Sequence, residues 1–169
     1  GRTVLELDHL AVDRGEVMAI VGPNGAGKST LFLSLALLLK AERGEMIFDG
    51  RSVSELAPLE YRRHIALVLQ EPLLMDLSVM ENIALGIEPA RWGLVSFDTM
   101  RRQAREALAA LGHADIHPDA PVETLSPAGQ QLVEIARALA SGCRVLVLDE
   151  PTSGLGHRDV ERLFALLGR

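Results

Sequence analysis

The nonapeptide Gly22-Pro23-Asn24-Gly25-Ala26-Gly27-Lys28-Ser29-Thr30 constrains this chain more than any other feature. It fits G-x-x-x-x-G-K-[ST] without a mismatch. Glycines at this spacing let the backbone curl until successive N–H groups point at a polyphosphate. A helix that starts there adds the positive end of its dipole. Lys28 has the reach for β- and γ-phosphates, and the Ser29 hydroxyl suits a Mg²⁺ ion. The flanks agree: Val17-Met18-Ala19-Ile20-Val21 is a short apolar run that reads as a buried strand, and Ser29 to Leu39 is an apolar run of helical length.

The length of 169 residues suits one domain, and 48% hydrophobic residues suffice for a packed core. A net charge of −6 argues against a general nucleic-acid surface but not against a local phosphate cradle. One cysteine, Cys143, excludes an internal disulfide and reads as a small residue at the edge of the core. No apolar run approaches the ~18 residues of a membrane span, and the N-terminus does not read as a signal peptide.

Val4 to Val12 partly alternates and predicts a half-buried strand. Met46-Ile47-Phe48 followed by Asp49-Gly50 predicts a hairpin, and Ile65 to Leu69 a core strand ending at Gln70. Ser78-Val79-Met80-Glu81 is a capping box, with Gly86 closing a short helix. A longer helix starts at Asp98 or Thr99, carries Met100, Ala104, Ala107, Leu108 and Leu111 on one stripe, and stops at Gly112. Residues 112–124 read as a loop. Ser126 and Pro127 open another helix that buries Leu132, Ile135, Ala136 and Leu139. Val145 to Leu148 has the continuous apolar pattern of a parallel strand.

Phosphoryl transfer from ATP to water needs a cradle, a metal, a positioned water and a proton acceptor. Val145 to Leu148 ends in Asp149-Glu150, which puts two carboxylates at the C-terminal edge of a strand. Asp149 suits a water-mediated Mg²⁺ contact and Glu150 a general base. Gln70, a neutral amide at another strand end, has the chemistry to touch both the metal and the attacking water. His113, Asp115 and His117 lie in a proline-containing loop rather than on one helix face, so metal binding there is disfavoured. Trp92 reads as loop packing, with contact to a membrane partner as the alternative, and Arg101, Arg102 and Arg105 as one solvated helix face.

With these residues in place, nearly the whole chain resembles the ATP-binding subunit of ABC transporters. Gly22 to Thr30 is similar to Walker A, Gln70 to the Q-loop, Leu125 to Leu139 to the signature region and Val145 to Glu150 to Walker B, followed by Pro151-Thr152-Ser153. The resemblance implies an α/β fold of the P-loop NTPase class: a RecA-like core with a small β-subdomain and an inserted helical subdomain. It divides the chain into core and β-subdomain at 1–72, helical subdomain at 73–140 and continued core at 141–169. It implies ATP and Mg²⁺ as cofactors. Lys28, Gln70 and Glu150 take the catalytic roles, Gly22 to Thr30 the nucleotide, and Ser29, Gln70 and Asp149 the metal. Two chains would sandwich ATP head to tail, each offering Ser126, Ala128 and Gly129 to the other's P-loop. Membrane permease subunits are the implied partners, with a solute-binding protein engaged indirectly and no nucleic acid. The implied location is peripheral, on the cytoplasmic face of the membrane.

The departures from that pattern are specific. Leu125-Ser126-Pro127-Ala128-Gly129 stands where the family often has Leu-Ser-Gly-Gly-Gln, and Pro127 lacks an N–H. Gly156 replaces an aspartate that helps couple the two sites. His157 is too early to be the switch histidine of a later strand, and no aromatic precedes Phe32. These features lead to the expectation of a segment trimmed at both ends, turning over ATP very slowly alone. Residues up to about Pro89, notably Gln70-Glu71-Pro72-Leu73-Leu74, resemble tungstate and molybdate importers, whereas those from about Leu125 resemble carbohydrate importers. The alternatives to an importer motor are a non-catalytic nucleotide-binding fragment and an ABC-type ATPase acting on DNA or ribosomes. The acidic charge and the absence of heptads oppose the last of these.

Overall fold

The computed structural model describes residues 4–91, 94–151 and 154–167. Among them the order is α1 (Lys28–Leu35), β1 (Ile47–Phe48), β2 (Arg51–Ser52), α2 (Pro58–Arg62), β3 (Ile65–Val68), α3 (Val79–Ala84), β4 (Ala90–Arg91), β5 (Leu94–Val95), α4 (Phe97–Ala110), α5 (Pro127–Ala140), β6 (Val145–Leu148) and α6 (His157–Leu167). Short 3₁₀ turns lie at Val53–Glu55 and Val122–Thr124.

Strands β3 and β6 pair in parallel, from Ile65 opposite Val145 to Val68 opposite Leu148. The crossover between them carries α3, α4 and α5. Parallel strands require a long connection, and here it supplies the helices that cover the pair. Val68, Ala104, Leu108, Val133, Ile135 and Ala136 are fully buried, with Val79, Ile83, Met100 and Leu163 in the same cluster.

Local chemistry explains each element. Asp49 and Gly50 both have positive φ, at 51° and 74°, which is the turn that a two-residue hairpin demands between β1 and β2. The hairpin is held from below: Phe48 meets Tyr61 edge-on at 5.5 Å, and the Tyr61 hydroxyl donates to the Leu35 carbonyl at 2.9 Å. Burial pushes that hydroxyl up to about 12, so it remains a donor. At α3 the capping box forms as its sequence predicts: Ser78 accepts from the Glu81 N–H, and the Glu81 carboxylate accepts from the Ser78 N–H. Gly86 and Gly112 take positive φ after α3 and α4. Ser126 caps α5 with Pro127 in its first turn. Leu139, expected among the buried residues of α5, is half-buried.

Three expectations are corrected. Residues 4–12 and 17–21 form no strand among the described residues, and Val4, Val12, Val17 and Val21 are exposed. An apolar run becomes a strand only when a neighbour takes its N–H and C=O groups, and no ladder reaches these residues. Helix α1 stops at Leu35 rather than running to Leu39. There the Leu38 N–H reaches the Leu33 carbonyl and the Leu37 N–H the Ser34 carbonyl, with Leu37 at φ 53°. This is a Schellman ending with leucine in the place that usually needs glycine. Trp92, Thr152 and Ser153 lie outside the described residues.

Candidate functional site: a P-loop facing the end of a parallel strand

Gly25 and Gly27 adopt left-handed backbone angles, φ 80° and 92°. At Gly27 a side chain is excluded twice, since an added Cβ would sit 3.1 Å from the Val4 carbonyl oxygen. Gly27 is also the N-cap of α1, and no side chain caps that end. The first-turn N–H groups therefore keep their donor capacity, in a loop already curled toward one centre.

The Lys28 ammonium donates to the Gly22 carbonyl at 2.8 Å and to the Pro23 carbonyl at 3.2 Å. It is thus folded back across the loop rather than extended into solvent. From the other side Glu150 Oε1 approaches it to 3.8 Å. Glu150 has φ 50°, unusual for a residue with a Cβ. Such a conformation costs of order 1–3 kcal/mol and gathers at functional positions. It turns the chain sharply at the end of β6, next to buried Asp149, whose N–H donates to the Val68 carbonyl at 2.8 Å. The parallel register carries both carboxylates to the strand end beside the loop.

The structure therefore brings Gly22 to Thr30 together with Glu150, and places Asp149 immediately before it. Pro23, Asn24, Ala26 and Ser29 are exposed around the loop, and Gln70 is exposed two residues past β3. Ser126 is held elsewhere: its Oγ accepts from the Gly129 N–H at 3.2 Å, and among the described residues no hydrogen bond joins it to the P-loop. Ala128 lies in the same first turn of α5. At Gly129 an added Cβ would come within 3.2 Å of the Leu125 Cβ. The donor set (curled backbone, one ammonium, one hydroxyl and a buried carboxylate) fits a magnesium-bound polyphosphate.

Other polar residues have structural partners. His113 Nε2 lies 2.9 Å from Asp159 on α6, while the ring of His117 accepts from the Asp119 N–H at 3.2 Å. Arg101, expected on a solvated face, forks onto Asp119 at 2.8–3.0 Å and holds that carboxyl below its usual range. Burial raises the Cys143 thiol, which keeps it protonated at the edge of the core.

Sequence reading missed two sets of residues. Asn82 is fully buried, accepts from the Met75 N–H and donates to the Met75, Leu77 and Ser78 carbonyls, so it fixes the loop before α3. Gln131 and Glu134 are buried on α5, with Arg137 one turn on. The available signal was three long polar side chains spaced by three, at 131, 134 and 137, where the other residues of 132–140 are apolar.

Comparison with known proteins follows the same lines. A family model described as ABC transporter matches residues 5–153. The chain is 47% identical to the ribose import ATP-binding protein RbsA of Chromobacterium violaceum, over 98% of this chain and 34% of that protein. It is 44% identical to ribose import ATP-binding protein RbsA 1 of Mesorhizobium japonicum, over 100% of this chain and 33% of that protein. The chain thus spans about a third of the length of these curated relatives. Among solved structures, a dimeric post-hydrolysis state of the ATP-binding cassette MJ0796 bound to ADP and Pi aligns with TM-score 0.82 and 32% identity, covering 94% of this chain and 70% of that one. The fold is that of P-loop NTPase cassettes.

Proposed function

Given that the chain belongs to the ABC transporter family, we propose that it binds and hydrolyses ATP as part of the motor of a sugar importer. The single observation that carries this reading is the approach of Glu150 to Lys28 at 3.8 Å, which joins the phosphate loop to a carboxylate at a strand end. In it Lys28 and the backbone N–H groups of the Gly22–Thr30 loop, Pro23 excepted, hold the phosphates. Ser29, Asp149 and Gln70 would hold Mg²⁺, which neutralises phosphate charge. Glu150 takes the proton of the attacking water, and Gln70 orients that water.

A second copy or a related cassette completes the site by offering Ser126, Ala128 and Gly129. This is supported by the dimeric state of the MJ0796 cassettes, which share the fold. The exposed Leu73, Met75 and Leu77 form the side presented to membrane permease subunits, with a solute-binding protein acting through them. No described helix is long and apolar enough to cross a membrane. In this proposal the chain is peripheral, on the cytoplasmic face, and meets the membrane through those subunits. The core, helical and continued-core division at 1–72, 73–140 and 141–169 remains part of this proposal. A sugar is favoured over an oxyanion because ribose-import relatives match along 98–100% of the chain, and both the part before Pro89 and the part after Leu125 fall within those matches.

The test separates binding from chemistry. A fluorescent ATP analogue gives affinity, and single-turnover hydrolysis of radiolabelled ATP gives the rate. Glu150→Gln is expected to bind MgATP as the parent does and to hydrolyse it roughly 10²–10⁴-fold more slowly. An unchanged rate removes Glu150 from the reaction. A parent chain that binds ATP without any turnover supports the non-catalytic reading.

A further inference from the structure

Helix α5 carries Gln131, Glu134 and Arg137 at intervals of three, on one stripe that faces the chain beyond β3. The Gln131 side-chain amide donates to the Leu69 carbonyl at 3.3 Å. Glu134 Oε1 accepts from the Leu73 N–H at 3.3 Å and from Arg137 Nη2 at 2.8 Å. Arg137 Nη1 donates to the Leu73 carbonyl at 3.0 Å. Both backbone groups of Leu73 are therefore taken by side chains of one helix, and Leu69 is taken by a third. The two anchored residues stand on either side of Gln70.

Packing alone does not explain this arrangement. Glu134 is 2% exposed, and among the described residues its Oε2 has no hydrogen-bond partner. A buried carboxylate with an unsatisfied oxygen is costly, and an apolar residue of similar size would fill the space at lower cost. What the carboxylate supplies is an acceptor aimed at one N–H of the segment after Gln70, locked in direction by Arg137.

We propose that Gln131, Glu134 and Arg137 are positioning residues that clamp the backbone on both sides of Gln70, so that Gln70 is held at the end of β3 by the helix whose first turn carries Ser126. The proposal rests on the reading of Gln70 as a residue that touches water and metal. None of the three residues touches nucleotide; they act through the loop. Glu134→Gln keeps an oxygen for the Leu73 N–H and Arg137, whereas Glu134→Ala removes it.

Amide-resolved hydrogen exchange of the full chain, with single-turnover hydrolysis and MgATP titration, tests this in Glu134→Ala, Glu134→Gln, Gln70→Ala and the double variant Glu134→Ala/Gln70→Ala. Protection of the Leu73 amide is expected to fall about tenfold or more in Glu134→Ala and to persist in Glu134→Gln and Gln70→Ala. Hydrolysis falls in Glu134→Ala and Gln70→Ala, recovers in Glu134→Gln, and is no slower in the double variant than in Gln70→Ala, with MgATP affinity held within about twofold. Unchanged Leu73 protection in Glu134→Ala overturns the clamp. Multiplied rate losses in the double variant overturn its action through Gln70. A parental rate in Gln70→Ala overturns the reading of Gln70 and the proposed service to it, and lost Leu73 protection in Glu134→Ala then tells that failure from a failure of the clamp.

Discussion

The P-loop arm, residues 4–39, and the helical layer of α3, α4 and α5 over β3 and β6 are built on opposite terms. In the arm, Val4, Leu7, Val12, Val17 and Val21 are exposed, and Val21 keeps 92% of its surface. In the layer, Ala104, Leu108, Val133, Ile135 and Ala136 keep none. Yet the arm carries the most specific chemistry of the chain. Phosphate recognition uses backbone N–H groups, glycine angles and one ammonium, none of which needs a wide apolar base. Packing energy resides in the layer, which also holds the segment around Gln70. Binding and stability are therefore separable properties of this molecule.

Core truncation tests that separation most severely. Ile135→Ala is expected to cost about 2–5 kcal/mol in urea denaturation, whereas Val21→Ala stays within about 0.5 kcal/mol. Similar losses at both positions would mean that the arm is packed in solution. Lys28→Ala sharpens the contrast from the other side. ATP affinity should fall at least 100-fold, about 2.7 kcal/mol, in a fluorescence titration, with the urea midpoint unchanged. Retained affinity would refute the role of the loop.

Smaller effects belong to the edges of the layer. Ser78→Ala removes the cap of α3 and should cost about 1 kcal/mol in the same denaturation. The smallest effect depends on pH. Burial, opposed in part by the Leu73 N–H and Arg137, raises the Glu134 carboxyl above its usual 4.5. The folded chain then holds that proton more tightly than the unfolded chain. Stability from this source is greatest below the ordinary value and declines as pH climbs through the interval up to the raised one. Glu134→Gln lacks that titration. Its melting temperature relative to the parent should rise across the same interval, by about 2–4 °C for each 1 kcal/mol recovered. A constant difference across pH would show that Glu134 does not titrate there.

The local elements that carry the candidate site were legible because each depends on nearby residues. Gly22 to Thr30, the Ser78–Glu81 box, Ser126-Pro127 and Asp149-Glu150 each depend on residues within a few positions, and the structure places each loop, cap and strand end accordingly. Misjudged elements failed for two reasons. Val17 to Val21 has strand composition but no ladder, which is a matter of remote partners, whereas the helix expected to reach Leu39 ends at Leu35 in a local Schellman motif that puts a leucine where glycine is usual. The fork of Arg101 onto Asp119 and the polar stripe on α5 escaped notice because their partners are remote, 18 and 61 to 64 positions away.

Residue order was thus sufficient to delimit the glycine-rich loop and the carboxylate pair of the candidate site, and to establish the caps and the family. These rest on backbone angles and short-range hydrogen bonds that composition and spacing encode directly. Contact between Lys28 and Glu150, and the grip of α5 on the segment around Gln70, came from folding. Both join residues more than 60 positions apart: the parallel pairing of β3 with β6 sets Glu150 at a strand end beside the segment after β3, and the packing of α5 on β3 brings its polar stripe to that segment.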